Sequence, residues 1–359
     1  MGILNVNNKK SHLERNMFFD EAVDVARYDK VKYNNFEKLT EKQMSFFWRP
    51  EEVDINKDNK DFKRLTPRQK HIFQSNLSRQ IILDSVQGRA PTIAFLPITS
   101  LPEVENWIQT WAFFETIHSR SYTHIIRNIY SDPSKIFDEM MDIQEIVDCA
   151  KDISIYYDRL IEMNNDPEMY GSYAHKKALW LCLNAVNFLE GIRFYVSFAC
   201  SWAFAELKTM EGNAKIIKFI ARDENLHLAS TQQMIKLLVR EDSDYATLQN
   251  ECKEEVFSMV NDIVNQEKKW ADYLMGEESM IGLNYNILCD FVDERTDKCL
   301  KALGYPPQYG NKSNVLPWTQ KWISGSDVQV APQETEISSY TIGGIKNDLT
   351  EESFKGFKL

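Results

Sequence analysis

The sequence predicts an all-α protein built as one bundle of long helices, and three observations predict it. Glycine (13) and proline (11) make up about 7% of the 359 residues against an average near 12%, too few turn-formers for a sandwich or barrel. Apolar residues recur at three-to-four spacing in at least seven long stretches, with no strand-rich block or fixed-period repeat between them. Hydrophobic residues reach 43%, enough for a large core.

Residues 1–65 are polar and read as an irregular segment packing on the bundle, with an aromatic knot at Phe46, Phe47 and Trp48 before Arg49-Pro50. The first helix opens with Thr66 as N-cap and Pro67 in the first turn, carries Phe73, Leu77 and Ile81, and stops near Gly88. A second runs over 103–129 and is broken by Asp132-Pro133. Further periodicity marks 145–163, 175–209, 213–239, 246–275 and 284–303, with Gly304 as C-terminal cap. Length alone would suggest roughly two domains. The connections are short, however, so 66–304 reads as one helical domain. Residues 305–359, with Pro306, Pro307, Pro317 and Pro332 and little apolar periodicity, read as a flexible tail. Phe354, Phe357 and Leu359 give that tail a sparse apolar tip suited to docking.

A net charge of −11 argues against a nucleic-acid-binding surface or attachment to anionic lipid. The longest uncharged stretches, 90–102 and 194–205, hold about a dozen residues where a membrane span needs about 20. The first thirty residues lack the apolar core of a secretory signal. The six cysteines form no CxxC pair and read as reduced core thiols. The expected compartment is the cytoplasm, that of a host if the gene is viral.

Acids stand where apolar residues belong. Asp84 continues the stripe of Leu77 and Ile81, and Trp107, Trp111, Glu115, His118, Tyr122 and Ile126 stack on one helix face. Glu190 lies between Val186 and Phe194, and Glu224 and His227 extend the stripe of Ile216 and Ile220. An unpaired buried carboxylate costs several kcal/mol, so these groups need a shared positive partner. Two helices each offer one carboxylate and two others each offer Glu-x-x-His. This is the ligand set of ferritin-like di-iron and di-manganese proteins, with Asp replacing one Glu. Six histidines would give roughly half an accidental Glu-x-x-His; two, on apolar faces of separate helices beside two more inward acids, exceed chance. His12, His71, His124 and His175 lack such company and read as surface or structural residues. Tyr122, one turn beyond His118, falls near the cluster. From these residues alone a di-iron oxygenase, an iron store and a bundle with buried ion pairs all remain open.

Longer segments narrow the choice: EKQMSFFWRPEEVD, LDSVQGR, WAFFETIHSRSYTHIIRNI, NFLEGIRFYVSFACS, MEGNAKIIKFIARDENLHL, SMIGLN and VQVAPQETEISSY. Through them the chain, from about residue 36 to its end, resembles the small, radical-generating β subunit of class I ribonucleotide reductase, most like the iron-tyrosyl subgroup of enteric bacteria and their phages. The resemblance implies metal ligation by Asp84, Glu115, His118, Glu190, Glu224 and His227, and a stable radical on Tyr122 in an apolar pocket of Phe194, Phe198 and Ile220. It implies that Trp48 passes an external electron inward, that Asp223 links its indole to His118, and that Tyr340 relays the radical between subunits. Without it, Asp223 would read as a surface charge and Tyr340 would carry almost no weight.

The implied cofactors are two iron ions per subunit, manganese being the alternative, oxo-bridged after O2 activation, together with the tyrosyl radical. The implied partners are a large α subunit held by the C-terminal tail, a second copy in a homodimer, O2 and an external electron donor. The implied activity is ribonucleoside-diphosphate reduction, with the oxidising equivalent of Tyr122 passed to the large subunit by long-range proton-coupled electron transfer. One departure is the connection between Ile161 and Lys177, shorter than in relatives that insert a hairpin-bearing segment there.

Overall fold

The computed structural model describes residues 5–277, 279–280 and 282–323, and among them no strand forms. Fourteen α-helices follow one another among these described residues: α1 (Asn34–Ser45), α2 (Asn56–Arg64), α3 (Pro67–Gln87), α4 (Ala90–Ala94), α5 (Pro102–Ile129), α6 (Pro133–Glu139), α7 (Gln144–Asn164), α8 (Tyr173–Phe188), α9 (Tyr195–Glu206), α10 (Glu211–Glu241), α11 (Ser243–Glu251), α12 (Lys253–Met275), α13 (Tyr285–Ala302) and α14 (Gln320–Ile323). Four of them close on one another, α3 against α5 and α9, and α10 against α5 and α9. The site lies inside this quartet. α7, α8, α12 and α13 form an outer layer against it.

Local chemistry explains the boundaries of the long helices. Thr66 Oγ1 accepts from Gln69 N at 3.2 Å while Gln69 Oε1 accepts from Thr66 N at 3.0 Å, a reciprocal cap that starts α3 with Pro67 in its first turn. Asp132 caps α6 and Ser172 caps α8 by one-sided bonds, each side chain accepting from a first-turn amide. The short 161–177 connection closes tightly: Gly171 takes a φ of +70°, and His175 Nε2 lies 2.8 Å from Asn164 Oδ1 with the Phe19 ring 4.5 Å away. His175 and His12 are both buried and both bonded within the protein, as structural histidines.

The structure corrects the expected organisation in four places. Residues 1–65 are not irregular throughout, since they contain α1 and α2. α2 has one apolar side chain, Phe62, so it shows no stripe; polar contacts hold it instead. Asp58 accepts from Gly212 N at 3.1 Å and Asn213 N at 2.6 Å, and Asp61 from Met210 N at 3.2 Å, so two acids of α2 meet the N-terminus of α10. Burial pushes Asp58 up to about 6 despite those two amides. Second, the expected helix over 175–209 is interrupted by a π-turn, Leu189–Arg193. Third, 246–275 is two helices that meet at Cys252, where no proline or glycine marks the joint. Fourth, residues 305–323, expected as the start of a flexible tail, pack on the bundle. Asp297 accepts from Gln308 N, Tyr309 N and Asn311 N at 2.7–3.0 Å, and Trp322 stacks on Trp202 at 6.1 Å. Residues 324–359, including Tyr340 and the apolar tip, lie outside the described residues.

The core also holds a charged knot. Arg79 of α3 pairs with Glu267 of α12 through both terminal guanidinium nitrogens, and its Nη2 lies 3.3 Å from Cys149 Sγ. Arg193 approaches the same sulfur at 3.0 Å and pairs with Asp152. Arg79 and Glu267 are fully buried, so removing one strands the other. Glu267→Ala should lower stability by about 3–5 kcal/mol, read by denaturant melting, whereas replacing both by methionine should cost far less. Equal losses in the two variants would contradict this. All six cysteines are unpaired thiols, five of them buried.

Candidate metal centre

Three helices of the quartet, and the turn that leads into the fourth, bring acids or imidazoles inward. Asp84 comes from the last turn of α3, Glu115 and His118 from α5, Glu190 from the π-turn that leads into α9, and Glu224 and His227 from α10. All six are essentially inaccessible to solvent. The i,i+3 spacing puts the acid and imidazole of α5, and those of α10, on one face each.

The six side chains form two overlapping groups, Asp84, Glu115, His118 and Glu224, and Glu115, Glu190, Glu224 and His227, with the offered atoms of each group within 4.8 Å of one another. Glu115 and Glu224 belong to both. Glu115 Oε2 lies 3.3 Å from His118 Nδ1 and its Oε1 lies 3.0 Å from His227 Nδ1; Glu224 Oε1 and Oε2 lie 3.2 and 2.8 Å from the same two nitrogens. Two carboxylates thus span two imidazoles, and both Nδ1 atoms point at the same small volume. Asp84 and Glu190 stand one at each end.

The donors fit a pair of cations. Both oxygens of Asp84, one oxygen each of Glu115, Glu190 and Glu224, and His118 Nδ1 are buried without a hydrogen-bond partner. Such groups are costly unless something charged satisfies them. Oxygen-rich sites with imidazole suit iron or manganese, and the four carboxylates balance two divalent ions. In the protein alone, burial first, then Glu115 and Glu224, push Asp84 well above the usual carboxylate range, and burial with Glu224 and Glu115 does the same to Glu190. Burial opposes ionisation of Glu224 too, but His118 and His227 hold its carboxyl well below the usual range. Burial disfavours charge on His227, yet Glu224 and Glu115 lift it to about 9.

Around the donors lies a second set of contacts. Asp223 Oδ2 accepts from Trp48 Nε1 at 2.8 Å and lies 3.2 Å from His118 Nε2, while Oδ1 lies 3.4 Å from Arg222 Nη2. With Nδ1 turned to the carboxylates, His118 presents Nε2–H to Asp223, which fixes the ring. Asp223, with the look of a surface charge in the sequence, is completely buried, as is Trp48. Tyr122 is fully buried and its hydroxyl makes no aligned hydrogen bond. Burial and the neighbouring Asp84 carboxylate raise it well above the ordinary phenol range, so it stays protonated. Phe194, Phe198 and Ile220 are all fully buried, the two phenyl rings stacked at 5.6 Å.

Two groups at the site escaped the sequence reading. Trp111, read as a stripe residue, donates from Nε1 to Glu115 Oε1 at 2.9 Å. Gln87 donates from Nε2 to Glu190 Oε1 at 2.6 Å. Gln87 falls three residues after Asp84, on the same face, and that spacing could have flagged it.

The chain is similar to known proteins over nearly its whole length. The family profile described as "Ribonucleotide reductase, small chain" matches residues 26–317. A protein of Haemophilus influenzae named "Ribonucleoside-diphosphate reductase subunit beta" is 51% identical, covering 98% of each chain. One of Enterobacteria phage T4 with the same name is 40% identical over 96% of each. Among solved structures, the "Ribonucleotide reductase R2 subunit from Clostridium botulinum" superposes with a TM-score of 0.78 at 27% identity, covering 90% of this chain and 98% of that one.

Proposed function

Because the chain belongs to the ribonucleotide reductase small-chain family, we propose that its buried carboxylate-imidazole cluster generates an oxidising equivalent on Tyr122 for a separate catalytic subunit. Its activity is that of a ribonucleoside-diphosphate reductase, an oxidoreductase, exercised as the small subunit together with the large one. The observation that carries the reading is the pair of four-donor groups sharing Glu115 and Glu224, with Tyr122 against Asp84 at one end.

Asp84, Glu115, His118 and Glu224 would hold one ion, and Glu115, Glu190, Glu224 and His227 the other. Two ions held there, iron in this reading and manganese in the alternative, would supply O2 activation and part of the electrons for it. Tyr122 would give one electron and its phenolic proton, with the Asp84 carboxylate beside it. Its burial among apolar side chains, Phe194, Phe198 and Ile220 in this reading, keeps reductants and water from the oxidised ring. The Trp48–Asp223–His118 chain gives an outside electron a bonded route inward. No helix among the described residues is long and apolar enough to cross a membrane.

Assembly completes the proposal. The tail beyond residue 323 would hold the large subunit and place Tyr340 as the relay between the two. A second copy would pack on the outward face of α1 and α5, where Met44, Phe47 and Phe113 are about half exposed beside Asn106, Gln109 and Thr110. That face has no charged residue in its lining, which suits a self-complementary contact.

Electron paramagnetic resonance after adding Fe(II) and O2 tests the central claim. A long-lived phenoxyl signal is expected; a protein that consumes O2 with no such signal would be an oxygenase instead. Tyr340→Phe should keep that signal at wild-type intensity and abolish turnover with the large subunit, and normal turnover would exclude it as the relay.

A further inference from the structure

Glu190 is the one candidate ligand held by a broken helix. The π-turn that carries it is wedged from behind: a Cβ on Gly191 would lie 2.3 Å from Cys299 Sγ and 3.2 Å from Leu228 Cδ1, and Arg295 Nε donates to Gly191 O at 3.1 Å. Such turns are uncommon and concentrate at functional sites. In front, Gln87 Nε2 donates to Glu190 Oε1 at 2.6 Å, and Gln87 Oε1 accepts from Tyr157 Oη at 2.9 Å. Gln87, Tyr157 and Glu190 are all buried.

The direction of this chain is dictated by its donors. A phenol has one hydrogen to give, and a carboxylate ionised to hold a cation only accepts, so beside a ligating Glu190 the amide turns its oxygen to Tyr157 and its NH2 to Glu190. Glu190 Oε1 is therefore taken, while Oε2 has no partner. Asp84, its counterpart at the other end, has both oxygens without a hydrogen-bond partner. Asp84 has the Tyr122 hydroxyl beside it but no aligned hydrogen bond, so the two ends of the cluster differ by the amide tether.

We propose that Gln87, oriented by Tyr157, is a positioning residue that reserves one oxygen of Glu190 and makes it a one-oxygen ligand, so that the ion held by Glu190 and His227 depends on Gln87 and the ion held by Asp84 and His118 does not. This rests on the reading of the cluster as a two-ion centre. Without the tether the carboxylate turns freely within its cavity and loses its aim.

Titration with Mn(II) alone, followed by the signal of the free ion, tests the proposal on the full chain. The wild type should bind two ions. Gln87→Leu should weaken one of the two sites by about 10- to 100-fold, the range for lost contacts behind a ligand, and leave the other unchanged. Tyr157→Phe should weaken the same site by less, because the amide then has no fixed orientation, and the double variant should be no weaker than Gln87→Leu. Wild-type affinity at both sites in Gln87→Leu overturns the proposal. So does an equal loss at both, or a Tyr157→Phe protein that melts earlier with its Mn(II) binding intact. A wild type that binds fewer than two ions would instead sink the two-ion reading.

Discussion

Tyr122→Phe is expected to abolish nucleotide reduction with the large subunit while metal content and thermal midpoint stay at wild-type values. The side chain is fully buried and its hydroxyl makes no aligned hydrogen bond, so deleting that oxygen opens no partner and leaves the ring in place. A buried hydroxyl without a partner costs about 1–3 kcal/mol, so the variant should be no less stable than the parent and should gain slightly. No ligand group is removed either, since Asp84 and the shared glutamates are untouched. Electron paramagnetic resonance after Fe(II) and O2 should then show no long-lived phenoxyl signal. Residual turnover above about a thousandth of wild type, a drop of roughly 4 kcal/mol in transition-state terms, would show that another residue carries the oxidising equivalent.

The sequence exposed this centre because its chemistry violates the apolar pattern. Glu115, His118 and Tyr122 each occupy a position that the spacing of Trp107, Trp111 and Ile126 assigns to the core, and the structure buries all of them. Periodicity reports only what apolar residues do, which is why the same method passed over α2. Asp58 and Asp61 fasten that helix to backbone amides of α10, and nothing in their spacing announces a distant helix end. The π-turn was hidden for a related reason. One extra residue in a turn flanked by mostly apolar, fully buried stretches leaves the stripe almost continuous, and only the backbone, with Gly191 packed against Cys299 and Leu228, reveals it. Asp223 shows the limit most plainly: an aspartate beside Arg222 looks solvated until Trp48, 175 residues away in sequence, closes over it.

Glu224→Ala should remove both ions, whereas Asp84→Ala should remove only one. The difference follows from membership: Glu224 belongs to both four-donor groups and meets both imidazoles at 3.2 and 2.8 Å, while Asp84 belongs to one. Deleting the shared carboxylate leaves each group with three donors and one anion fewer between two cations, so repulsion between the ions is no longer screened. Removing Asp84 leaves the group of Glu115, Glu190, Glu224 and His227 complete. Metal analysis should therefore fall from two ions per chain to below one in Glu224→Ala and to about one in Asp84→Ala. Thermal melting gives a second reading. Each occupied site adds about 2.7 kcal/mol at a hundredfold excess over its Kd, so Mn(II) should stabilise the wild type strongly, Asp84→Ala by roughly half as much, and Glu224→Ala hardly at all. Glu115→Ala should behave like Glu224→Ala, because it spans the same two nitrogens at 3.3 and 3.0 Å. Equal metal loss in Asp84→Ala and Glu224→Ala would mean that the two groups bind as one indivisible unit, and the assignment of shared and terminal carboxylates would fall with it.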